Sequence, residues 1–275
     1  MELAIQTTGL TKFYGDFQAV NSVDLAVQPG TLYGFLGPNG AGKSTTIKML
    51  TGILKPSSGS IQLLGGDPWN QSQAIEIKRK IGVVPEDLAL FDNLKAREYL
   101  TFVGQMHSLD KETIIERGEE LLSLLKLEDV EKKLTVEYSH GMKKKLALAA
   151  ALLPNPRLLF LDEPFEGVDV VTSRVIRDLL GGFVAKGGTV FVTSHVMEIV
   201  ERICTHVGII AGGQLVEQSS LEELRKDTTL ENRFVELVGA QTDQQTNLDW
   251  LDGGNESTVE PSTVVPEVLD QETGQ

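Results

Sequence analysis

The chain has 275 residues, 41 % of them hydrophobic, enough to bury one large core or two modest ones. Its net charge of −14 makes nucleic acid, which is bound by neutralising phosphates, a poor partner, and no run of about 18 apolar residues offers a membrane span. The single cysteine, Cys204, excludes an internal disulfide, and the opening MELAIQTTGL lacks the marks of a secretory signal, so a cytoplasmic protein is expected, any membrane role running through a partner.

Residues 1–36 alternate like strands in LAIQTTGL, VDLAVQPG and TLYGFLG, separated by turn residues. From Lys43 to Leu54 an apolar stripe at Ile47, Leu50 and Ile53 predicts a helix directly after the last of these strands. Short apolar runs IQLL, IGVV, RLLFL, TVFVTS and VGIIAGG then alternate with helical patterns, which predicts an α/β fold with a mostly parallel sheet. Roughly seventy residues without a strand-like run separate IGVV from RLLFL. Among them KETIIERGEELLSLLKL sets Ile114, Ile115, Leu121, Leu122 and Leu125 on one helical face, so an inserted helical subdomain is expected from about Ala89 to Leu153.

Within that insertion, TVEYSHGMKKKLALAAALLP reads as a helix opened by Ser139, Gly141 and three lysines. Acidic residues ordinarily offset the positive start of a helix, so Lys143, Lys144 and Lys145 suit a helix start that awaits an anion. The three span too wide an arc to face it together, and some are expected to be simply solvated. From residue 241 onward the chain is polar, with eight carboxylates and no Lys or Arg, which predicts a disordered acidic tail at 241–275.

Three segments carry chemistry. GPNGAGKST, Gly37 to Thr45, matches the phosphate-loop pattern and lies where the mechanism needs it, after a strand and before a helix. Gly37, Gly40 and Gly42 let backbone amides curl around phosphate, Lys43 reaches the β- and γ-phosphates, and Ser44 is placed to ligate magnesium. RLLFLDEP ends a buried strand in two carboxylates that point different ways, so Asp162 can hold magnesium while Glu163 polarises an attacking water. TVFVTSHVMEIV ends another buried strand at His195, third in the order of phosphate loop, Asp-Glu strand and His strand.

That order, with a Ser-x-Gly helix start between its first two members, resembles the ATP-binding subunit of ATP-binding cassette (ABC) transporters over about residues 3–240. The resemblance implies a P-loop NTPase core with a mostly parallel sheet, an antiparallel N-terminal β subdomain and an inserted helical subdomain, hydrolysing ATP with Mg2+. It implies that Tyr14 lies against adenine, that Gly37, Pro38, Asn39, Gly40, Ala41, Gly42, Lys43, Ser44 and Thr45 bind the nucleotide, and that Tyr138 to Met142 is the family signature. It further implies head-to-tail pairing with a second ATP-binding subunit, identical or not, so that Ser139 and Gly141 serve the partner's ATP. Asp169 would lie in the loop joining the two sites.

The chain departs from the family pattern at several points. Its signature is Tyr-Ser-His-Gly-Met rather than Leu-Ser-Gly-Gly-Gln, a variant similar to the exporter branch that works with separate membrane-spanning subunits. Glu86 replaces the glutamine that senses magnesium and water, joining the candidate catalytic and metal-binding residues, and Val170 replaces a proline after Asp169. The resemblance implies that Leu88, Leu90, Phe91 and Leu94 accept the membrane subunit and that the protein is peripheral on the inner face of the cell membrane. Two other functions compete, a soluble ABC ATPase not coupled to transport and a small-molecule kinase. Glu163 and the Ser-x-Gly helix would be purposeless in the kinase.

Overall fold

The computed structural model describes residues 2–130 and 132–239, so the tail predicted as disordered lies outside the described residues. The chain opens with β1 (Ile5–Tyr14), β2 (Phe17–Val23), β3 (Ala26–Val27), β4 (Leu32–Leu36) and α1 (Lys43–Leu50), then β5 (Ser58–Leu63), α2 (Ala74–Lys80) and β6 (Ile81–Val84). Three helices follow, α3 (Ala96–Met106), α4 (Lys111–Leu124) and α5 (His140–Leu152), before β7 (Leu158–Leu161). Next come α6 (Val170–Ala185), β8 (Thr189–Ser194), α7 (Met197–Ile203), β9 (His206–Ala211), β10 (Gln214–Ser220), α8 (Leu221–Asp227) and α9 (Leu230–Phe234). Among the described residues no helix is long and apolar enough to cross a membrane.

Two sheets organise these elements. In the smaller, β1 pairs antiparallel with β2, β3 and β5. The larger has six strands in the order β10-β9-β4-β8-β7-β6, parallel except where β10 returns against β9.

The period-two alternation of the parallel strands divides the interior into two layers. Leu32, Leu36, Leu159, Leu161, Val190 and Val192 join one cluster with α5 and α6 residues such as Leu146 and Ile176. Tyr33, Phe35, Leu158, Phe160 and Phe191 join the other, with Ile47 and Leu50 of α1 and Leu10 and Ile61 of the antiparallel sheet. Phe191 is the hub of the second layer, its ring 5.3–5.8 Å from those of Phe35, Tyr33 and Phe160. Each such fully buried side chain contributes about 1.5–3 kcal/mol of transfer free energy, which fixes the strand ends that carry the site.

The structure departs from the sequence reading in four places. The longest early partner of β1 is β2, Phe17–Val23, whereas VDLAVQPG contributes only Val23 at the end of β2 and the two residues of β3. Helix α1 ends at Leu50 rather than Leu54, because Gly52 takes a left-handed φ of 73° and the Ile53 and Gly52 amides close back onto the Lys48 and Met49 carbonyls. Ile53 is consequently exposed. Ile115 faces solvent while Ile114, Leu122 and Leu125 are buried, so the apolar stripe of α4 is narrower than expected. Strand β10 has too polar a sequence to announce itself and is held as the antiparallel edge by β9.

Candidate active site

The site begins where β4 stops. The chain turns through Gly40 and Gly42, with φ of 81° and 104°, and enters α1 at Lys43. These glycines are required by conformation and by space: a Cβ on Gly42 would lie 2.6 Å from the Ala19 carbonyl, and one on Gly37 2.4 Å from that of Ile210. The first turn of α1 carries no acidic residue and no side-chain cap, so its amides remain open to an anion. Ala41 is buried, and its amide donates to the Pro38 carbonyl. The Lys43 ammonium is nearly buried, donating to the Gly37 carbonyl at 2.8 Å and lying 3.5 Å from Glu163 Oε1.

The opposite wall comes from the ends of β7 and β8. Their parallel register pairs Leu161 with Val192, so Asp162 falls beside Thr193 one step along. The Thr193 hydroxyl donates to Asp162 Oδ1 at 2.6 Å and accepts from the Glu163 amide at 3.0 Å. The Asp162 amide is held by the Val84 carbonyl of β6. Glu163 takes a left-handed φ of 46°, and its carboxylate turns away from that of Asp162 to lie 3.1 Å from His195 Nδ1. The two carboxylates therefore point different ways, one along the strand ends and one between two basic side chains.

Lys43, Ser44, Thr45, Asn39, Gly40, Gly42, Glu86, Glu163 and His195 share one cleft of about 410 Å³, with Tyr14, Phe17 and Ala19 at its other end. Tyr14 is half exposed, with the Lys12 ammonium 5.5 Å from its ring centre. Ser44 Oγ donates to Glu86 Oε2 at 3.4 Å. The open amides, the hydroxyl and the carboxylates form a hard-oxygen and N–H donor set that suits a nucleotide phosphate with Mg2+.

Ser139 and Gly141 do not line this cleft. Ser139 is exposed and caps α5, its Oγ accepting from the Met142 amide, while Gly141 packs beside Thr172 and Asp169. Asp169 caps α6, and the bonds from the Thr172 hydroxyl and amide hold its carboxyl below the usual range. The expectation of solvated lysines fails. Lys143 is partly covered beside Asp92, and Lys144 and Lys145 are buried. Burial pushes the Lys144 ammonium down in pKa, opposed by the carboxylates of Glu166, Glu163 and Glu86.

Two contributors are not singled out in the sequence, and a third is read there in a different role. Thr193 could have been found, since it lies two residues before His195, near the end of the strand that leads to it. Phe17 carried a weaker hint as an aromatic three residues beyond Tyr14. Lys144 stood in the sequence only as one of three lysines at a helix start awaiting an anion, and the fold alone brings its ammonium to the carbonyls of Glu163 and Glu166.

Residues 20–166 match the family described as ABC transporter. The chain is 39 % identical over 227 residues to the bacitracin transport ATP-binding protein BcrA of Bacillus licheniformis, covering 82 % of this chain and 72 % of that one. It is 37 % identical over 243 residues to the Nod factor export ATP-binding protein I of Cupriavidus metallidurans, covering 87 % and 78 %. Among solved structures, an ATP-binding subunit of an ABC transporter superposes with a TM-score of 0.79 at 27 % identity, over 86 % of this chain and 99 % of that one. The dimeric structure of MJ0796, a bacterial ABC transporter cassette, gives 0.73 at 25 % identity, over 79 % and 98 %. The phosphate loop, the carboxylate-bearing strand ends and these likenesses agree, and the chain belongs to the ABC transporter family as an ATP-binding subunit.

Proposed function

We propose that this chain hydrolyses ATP in the cleft, with Mg2+, and that the hydrolysis powers a membrane exporter. The observation that carries the reading is the Glu163 carboxylate, 5 % exposed as a residue and set between His195 Nδ1 at 3.1 Å and Lys43 Nζ at 3.5 Å. A buried carboxylate aimed into a phosphate cleft by its neighbours is placed to accept a proton from water.

The phosphates dock on open amides of the Gly37–Thr45 loop, and Lys43 exchanges its loop carbonyls for β- and γ-phosphate oxygens. Ser44 and Asp162 would hold Mg2+, with Glu86 adjoining, and an ion held there would offset charge developing on the transferred phosphoryl group. Glu163 orients and deprotonates the attacking water, and His195 fixes the direction of that carboxylate. Tyr14 covers the adenine.

Ser139 and Gly141 serve the nucleotide of a second ATP-binding subunit paired head to tail, a reading supported by their place outside their own chain's cleft and by the dimeric MJ0796 cassette. Residues 1–240 act as one ATP-binding domain whose helical subdomain, about 89–153, meets a membrane-spanning subunit at Leu88, Leu90, Phe91 and Leu94, on the inner face of the membrane. Transport is favoured over soluble work by the relatives' names, bacitracin transport and Nod factor export.

Glu163→Gln tests the chemistry. It should keep ATP affinity and lose hydrolysis by about 10²-fold or more. Loss of affinity equal to that of Lys43→Ala would make Glu163 a structural carboxylate and refute the assignment.

A further inference from the structure

Six non-glycine residues among those described have positive φ: Ser22, Leu64, Ser108, Lys126, Asn155 and Glu163. Glu163 alone of these is buried. The left-handed conformation costs a side-chain-bearing residue about 1–2 kcal/mol, so something must hold it. Its amide is held by Thr193. Its carbonyl is held by Lys144, whose ammonium donates to the Glu163 and Glu166 carbonyls, both at 2.6 Å. Lys144 is 4 % exposed, and these charge-assisted bonds compensate the removal of its charge from water. The tether clamps both ends of the short loop that follows β7.

From this geometry we infer that Lys144 is the positioning residue of Glu163, pinning the peptide behind the carboxylate so that the side chain faces the cleft. The inference rests on the reading of Glu163 as the group that activates water. Rotation of an unpinned peptide would leave Glu163 free to relax toward ordinary φ, moving its carboxylate away from His195 and Lys43. Misplacement of a reacting group by about 1 Å is enough to cost on the order of 10²-fold in rate. Lys144 also lies on the helix that Ser139 caps, so the clamp joins that helix to the loop of the base within one chain.

The test uses the full-length chain and compares wild type, Lys144→Met, Lys144→Gln, Glu163→Gln and the double variant Lys144→Met with Glu163→Gln. Hydrolysis is measured as kcat and KM, nucleotide affinity with a fluorescent ATP analogue, and folding by the thermal midpoint. Lys144→Met should lower kcat at least about tenfold while KM and analogue affinity stay within about threefold. Lys144→Gln, which retains an amide donor and strands no charge, provides the milder folded variant and should fall between wild type and Lys144→Met. Because the lysine acts through Glu163, the double variant should be no more than about twofold slower than Glu163→Gln alone. An unchanged kcat in Lys144→Gln or Lys144→Met, an equal weakening of analogue affinity, or additive losses in the double variant would each overturn the inference. Wild-type hydrolysis by Glu163→Gln would instead refute the base assignment itself, which separates the two failures.

Discussion

Thr193→Val isolates the hydroxyl that ties the Asp162 carboxylate to the Glu163 backbone amide. The substitution is nearly isosteric, so no cavity forms, and its effect comes from hydrogen bonds alone. Two are lost: the 2.6 Å bond to Asp162 Oδ1 and the 3.0 Å bond from the Glu163 amide, both buried. A bond to a charged acceptor contributes about 1.5–3 kcal/mol, and stranding a buried N–H costs about 1–3 kcal/mol. Together they predict a loss of about 2.5–6 kcal/mol, which for a chain of this size lowers the melting midpoint by roughly 5–24 °C. Thermal unfolding by circular dichroism reads that shift, and a coupled phosphate-release assay should show hydrolysis slowed by about tenfold as both carboxylates lose alignment. Thr193→Ser keeps the hydroxyl and should cost only about 1 kcal/mol for its missing methyl group. A Val variant melting within about 2 °C of wild type, or a Ser variant as damaged as Val, would refute the bridge.

Three further outcomes follow from the site as built. Glu86→Gln removes the carboxylate facing Ser44 Oγ and should raise the magnesium concentration for half-maximal hydrolysis by about threefold or more; an unchanged magnesium titration would place Glu86 outside the ion's surroundings. In a Glu163→Gln background that accumulates ATP, sedimentation should show ATP-dependent dimers that Ser139→Arg abolishes. Monomer affinity for a fluorescent ATP analogue should stay within about twofold in that variant, and a drop as large as that of Lys43→Ala would assign the helix to its own chain's nucleotide. Phe91, half exposed against Phe102 and Tyr99, should tolerate Phe91→Asp in basal hydrolysis while co-purification with the membrane subunit is lost; intact co-purification would move the docking surface elsewhere.

The parts of the fold legible in the sequence are those where one physical signal dominates. Apolar runs such as IGVV, RLLFL and TVFVTS are buried on both faces and read as parallel strands without ambiguity. The phosphate loop was legible because Gly40 and Gly42 occupy conformations that other residues resist. Local signals failed where a distant partner decides. Strand β10 exists because β9 offers an edge, and the end of α1 depends on closure through Gly52 rather than on the apolar stripe. Lys144 and Lys145 look in sequence like any solvated basic run, and their burial follows from α5 packing under the sheet. The pairing of Asp162 with Thr193, 31 positions apart, required the strand register.

The central place of β4 has a consequence for how the protein is made. The strand that carries the phosphate loop lies between β8 and β9, which are translated last among the parallel strands. At ordinary elongation rates of 5–20 residues per second, roughly ten to thirty seconds pass between the emergence of Leu32–Leu36 and that of its two neighbours. Throughout that interval the run LYGFL has neither edge paired, and the wall formed by Ile210 against Gly37 does not yet exist. A ribosome-bound chain is therefore expected to hold ATP only after its synthesis has passed β9, with nearly all of residues 1–211 out of the tunnel before nucleotide can act as a stabilising ligand. Until then the apolar strand is a client for chaperones rather than the floor of a binding site.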